Sequence, residues 1–78
     1  DKLSFKQQHA LKALPEEIER LEFEIGKLKS ALAKPGFYEE DPKKFNAWAG
    51  ELSKRETLLA EKEEEWLELE LLAEELQQ

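Results

Sequence analysis

The chain has 78 residues, 19 acidic and 12 basic, for a formal charge of -7, and it holds one small domain at most. Its content is 40% apolar and 40% charged with only three Gly and three Pro, which points to long helices rather than sheet; no apolar run nears the roughly 20 residues of a bilayer crossing. The absence of cysteine excludes disulfides, thiolate zinc sites and cysteine nucleophiles, and makes a cytoplasmic address the default expectation.

Methionine is absent too, and the sequence starts on a charged segment at Asp1, so the expectation is a single domain, residues 1–78, excised from a longer protein. Ser4 and Gln7 form a Ser-x-x-Gln capping box, which predicts a helix over about 4–14. Pro15 withholds a backbone donor and restricts its predecessor, and Glu16 and Glu17 suit a first helical turn. A break and restart is expected there. The second helix, about 15–33, carries Ile18, Leu21, Ile25, Leu28 and Leu32 at spacings of 3 and 4, an a/d seam.

Lys34-Pro35-Gly36 ends that helix and permits a reversal. Asp41-Pro42 then repeats a start signal, an N-cap acceptor before a proline at the first helical position. The third helix, about 42–76, has the seam Phe45, Trp48, Leu52, Arg55, Leu59, Lys62, Trp66, Leu69, Ala73 and Leu76. It is on the order of 50 Å long, enough to back both earlier segments.

Register supports that arrangement. In an antiparallel hairpin, facing residue numbers add to a near constant, and Leu32 with Phe45, Leu28 with Trp48, Ile25 with Leu52 and Ile18 with Leu59 sum to 76 or 77. The same sum pairs Leu14 with Lys62 and Ala10 with Trp66. The predicted fold is all-α: a monomeric antiparallel two-helix coiled-coil hairpin, with a short additional N-terminal helix packed on the long third helix. Two cations conflict with the seam. Arg55 and Lys62 either lay their stems along it with heads in water, Leu58 adding apolar contact, or, for Lys62, reach the carbonyls at a helix end near Leu14.

Little in the chain suggests catalysis. Gly26-Lys27 is not a phosphate loop, because Leu28 follows and the pair lies inside a heptad. His9 has no second His or Cys for a metal site, and the Glu runs lie on predicted solvated faces, so no catalytic residue, metal or cofactor is expected. Charge is instead segregated: +2 over residues 1–13, -4 over 14–25, +3 over 26–55 and -8 over 56–78. Folding the hairpin gathers Lys27, Lys29, Lys34, Lys43, Lys44, Lys54 and Arg55 near the bend, where phosphates could bind; Lys2, Lys6 and Lys12 make a second, smaller cluster. Local pairs such as Glu51 with Arg55 or Glu24 with Lys27 compete for those cations. Phe37 and Tyr38 either stack on bases, fill a partner's pocket or cap the end of the seam.

Lys2-Leu3-Ser4-Phe5-Lys6, Ala13-Leu14-Pro15-Glu16-Glu17-Ile18 with Leu21, Phe37-Tyr38 before Asp41-Pro42, and Trp66-Leu67-Glu68-Leu69-Glu70 recur in an order that resembles the C-terminal domain of the ABC-F ATPases, nearest the Uup branch. The resemblance spans essentially the whole chain. It implies a parent with two ATP-binding cassettes and no transmembrane domain, working on nucleic-acid machinery, chiefly the ribosome. In that family the C-terminal hairpin is an accessory module, associated in Uup with DNA binding. The partners it implies are DNA or ribosomal RNA, and the parent's cassettes. The alternative is a structural coiled coil that docks on the ribosome or on those cassettes without touching nucleic acid.

Overall fold

The computed structural model describes residues 2–77. The Ser4 capping box forms as its spacing requires: the Ser4 N–H donates to Gln7 Oε1 at 2.9 Å and the Gln7 N–H donates to Ser4 Oγ at 3.0 Å. From there α1 (Phe5–Leu32) runs 28 residues without interruption, with Pro15 inside it. The segments expected as separate helices, 4–14 and 15–33, are therefore one helix, and the expected N-terminal helix is its first turns.

The reason lies on either side of the proline. Pro15 costs about 3 kcal/mol relative to alanine in a helix interior, since it cannot donate to the Leu11 carbonyl and its ring crowds that turn. Against this, Leu14, Leu21 and Ile25 are the buried apolar side chains of the described residues, with Leu14 only 2% exposed. Leu14, Ile18, Leu21 and Ile25 continue one 4-3-4 stripe across the proline. A break would carry one end of that stripe off its partner helix and lose more burial than the proline costs.

The reversal follows the sequence closely. Ala33 caps α1, and Gly36 takes a left-handed φ of 81°, a conformation that a side chain would strain. One helical turn, α2 (Phe37–Glu40), fills the bend. The Asp41 carboxylate then accepts the Lys44 N–H at 3.1 Å and Pro42 occupies the first turn of α3 (Pro42–Leu76), 35 residues long. α1 and α3 pack along their length into a rod of 57 × 15 × 15 Å, the antiparallel all-α hairpin the register implied. Asp1 and Gln78, the ends of the expected 1–78 domain, lie outside the described residues. No described helix is long and apolar enough to cross a membrane.

Candidate functional site

The two seam cations decide which charges remain available at the bend. Lys62 and Arg55 fall opposite Leu14 and Leu21 in the seam register, and their side chains are only 28% and 32% exposed. Their heads leave the seam sideways. Lys62 Nζ meets Glu17 Oε1 at 2.8 Å, and Arg55 Nε donates to Glu24 Oε1 at 3.1 Å. Glu17 and Glu24 each stand three residues after the leucine, so leucine, cation and carboxylate recur as a unit seven residues apart. The aliphatic stems shield the two leucines while the charges pair at the rim.

Lys62 thus binds a carboxylate and not a helix end, since α1 does not end near Leu14. Leu58, expected to add apolar contact beside these cations, is 41% exposed. Arg55 also donates through Nη1 to Glu51 Oε1 at 2.8 Å and to the Glu51 carbonyl at 3.4 Å. Glu24 pairs with Arg55 rather than with Lys27.

These contacts set a pH dependence. The hydrogen bond from Lys62 holds the Glu17 carboxyl below its ordinary value, and hydrogen bonding from Arg55 does the same for Glu51. A carboxyl lowered in the folded state contributes stability above its unfolded pKa of 4.5 and loses it as pH falls through the lower folded value. Lys62 is raised above its ordinary 10.5, chiefly by the same hydrogen bond, so its contribution persists below that pH and fades in stronger alkali. Glu17→Gln is expected to be less stable than the native chain at pH 7, with the gap closing as pH drops below 4.5. Thermal melts of both proteins between pH 2 and 8 check this, and a gap constant with pH would contradict it.

The remaining cations surround an aromatic cluster. Phe37 is half-buried and meets Phe45 and Trp48 edge-on, with ring centroids 5.5 and 5.4 Å away. It closes the end of the seam. Tyr38 packs on Phe45 at 5.3 Å yet stays 51% exposed. Lys44 Nζ stands 4.8 Å from the Trp48 ring centroid and Lys27 Nζ 5.3 Å from that of Phe23. Both are pairs four residues apart on one helix, a spacing visible in the sequence.

Lys34 and Lys43 make no ion pair among the described residues. Lys29 approaches Glu56 at 3.7 Å and Lys54 approaches Glu51 at 3.5 Å, both exposed and weakly held. Adjoining shallow grooves join Lys27, Lys34 and Lys44 across Ala31 and Trp48, with Glu22, Glu24, Glu40, Asp41 and Glu51 also in their lining. Of the seven cations expected at the bend, Lys27, Lys34, Lys43 and Lys44 are therefore open to a ligand, Lys29 and Lys54 are loosely engaged, and Arg55 is committed to the hairpin.

The second cluster has a different setting. Lys2, just before α1, and Lys6 and Lys12 on its start are exposed, but Lys6 lines a groove with Glu65 and Glu68 of α3. The acidic end of α3 lies alongside and opposes an anion there. Among the described residues no group of three or more His, Asp or Glu is placed to hold a metal ion.

No curated protein and no solved structure matches this sequence. The family model of the ABC transporter C-terminal domain matches residues 2–71, from before the capping box to within the last turns of α3. A match over both helices and the bend leaves little of the hairpin outside it, and the chain belongs to the ABC transporter C-terminal domain family.

Proposed function

We propose that this hairpin is the accessory nucleic-acid-binding domain of an ABC-F ATPase of the Uup type, engaging DNA or ribosomal RNA with its bend while ATP hydrolysis belongs to the cassettes of a cytoplasmic parent. The observation that carries the reading is the placement of the open lysines. Lys27, Lys34, Lys43 and Lys44 stand around the bend beside exposed Tyr38 and half-buried Trp48, whereas the densest carboxylates lie at the far end of a 57 Å rod. That separation exceeds the roughly 8 Å Debye length at physiological salt several times over, so the distant acidic charge does little to repel a phosphate at the bend.

Affinity on this reading comes from phosphate contacts without base selection, and it falls with salt by about 0.9 log units per log unit for each phosphate neutralised on duplex DNA. Labelled duplex titrated at low and physiological salt tests it against Lys34→Glu/Lys43→Glu. The side chains of these two lysines make no hydrogen bond or ion pair among the described residues, so the variant is expected to fold normally, bind at least about tenfold more weakly at low salt and show a shallower salt slope. Equal binding by both proteins would remove the bend as the contact surface.

A further inference from the structure

The part of α1 before Pro15 is held to α3 differently from the part after it. Leu14, Leu21 and Ile25, the buried apolar side chains of the described residues, all stand at or beyond position 14. Gln7, Ala10, Leu11 and Ala13 are only half-buried. The cross-helix ion pairs among the described residues use Glu17, Glu24 and Lys29 of α1, again beyond the proline. Before it, the helices face each other with opposite charge and no direct pairing. Residues 2–13 include three lysines and no Asp or Glu, while residues 63–75 include seven carboxylates and no Lys or Arg. Lys6 lines a groove with Glu65 and Glu68 yet forms no ion pair with either. Lys62, the cation of α3 next to this stretch, is engaged by Glu17.

We propose that residues 5–13 are a charge-held clasp, which swings off α3 as one unit about Pro15 and uncovers the half-buried Trp66, Leu69 and Leu72. Pro15 cannot donate to the Leu11 carbonyl, so the helical ladder is one hydrogen bond short where the arm joins the rest of α1. Helices bend at such positions. Leu14, buried beside the proline, anchors the hinge and keeps the opening from spreading along the hairpin. The lysines of the arm and the carboxylates of α3 attract at a distance rather than in contact, so salt screens the force that closes the clasp. Low ionic strength shuts it and high ionic strength opens it.

Native-state amide hydrogen exchange of the isotope-labelled full chain at neutral pH tests the proposal. The amides of residues 9–13 are expected to share one opening equilibrium, at least about tenfold more populated than that of residues 19–32. A gradient that fades residue by residue from Ser4, with no step at Pro15, is simple end fraying and overturns the clasp. Pro15→Ala restores the missing donor and is expected to slow exchange in residues 9–13 by at least about tenfold. Raising salt from about 10 mM to about 1 M shortens the Debye length from roughly 30 Å to roughly 3 Å. Exchange in the arm is then expected to rise at least about threefold, with no such rise in residues 19–32. Lys6→Gln/Lys12→Gln changes two exposed side chains; it is expected to open the arm at low salt and to abolish the salt response. Unchanged arm exchange in Pro15→Ala overturns the hinge, and an arm insensitive to salt overturns the role of charge in closing it.

Discussion

Leu14→Ala is expected to unfold much of the hairpin at 25 °C. Truncating a buried leucine costs about 2–5 kcal/mol, while a single core in a domain this small supplies only about 3–5 kcal/mol in total. Leu14 is the most deeply buried side chain of the described residues, and it stands on the continuous α1 stripe opposite Lys62 in the seam register. The expected result is a midpoint lowered by on the order of 10 °C or more, with lost helical circular dichroism at room temperature. Leu67→Ala provides the contrast, because Leu67 is 53% exposed and its loss is expected to stay within about 0.5 kcal/mol. Equal effects of the two substitutions would mean that the seam is not where the helices meet.

Pro15→Ala is expected to act in the opposite sense and nearly as strongly. Restoring a donor at position 15 lets the Leu11 carbonyl complete the helical ladder, a change of about 3 kcal/mol in an interior position. Proline also stiffens the unfolded chain, and removing it returns about 0.4–1 kcal/mol of that advantage. The net expectation is a gain of about 2 kcal/mol, seen as a midpoint raised by on the order of 10 °C. An unchanged or lowered midpoint would contradict an uninterrupted α1.

The proline is also where local and tertiary signals part. Read alone, Leu14-Pro15-Glu16-Glu17 is a helix stop followed by a start, and local chemistry favours a break. The a/d register already carried the contrary information, since Leu14 with Lys62 keeps the near-constant sum that Ile18 with Leu59 also keeps. Burial of Leu14 outweighs the backbone penalty, and that balance depends on a helix almost 50 residues further along the chain. Where local and long-range signals agreed, as at Ser4, Gly36 and Asp41-Pro42, the elements formed as their residues required.

At the bend, the sequence placed the lysines near one another but did not reveal which were committed. Composition counts Arg55 with Lys34. Only the fold shows that Arg55, opposite Leu21 in the seam register, holds both Glu24 and Glu51, while Lys34 stands at the groove without an ion partner among the described residues. A signal for the distinction existed in the seam, where a cation at an apolar position followed the heptad and a glutamate stood three residues after the leucine facing it. Phe37 could be assigned to neither base stacking nor capping from sequence, because both roles place an aromatic beside a turn. Its edge-on packing against Phe45 and Trp48 assigns it to the hairpin.

On the proposed reading the bend, and neither the start of α1 nor the acidic flank, meets phosphate. Backbone amide shifts of the isotope-labelled chain, followed while a short duplex is added at low salt, test it most directly. Perturbations confined to the bend, around Lys27, Lys34, Lys43 and Lys44, and reversed by added salt are the predicted result. Shifts centred on Lys2, Lys6 and Lys12, or none at any duplex concentration, would contradict it.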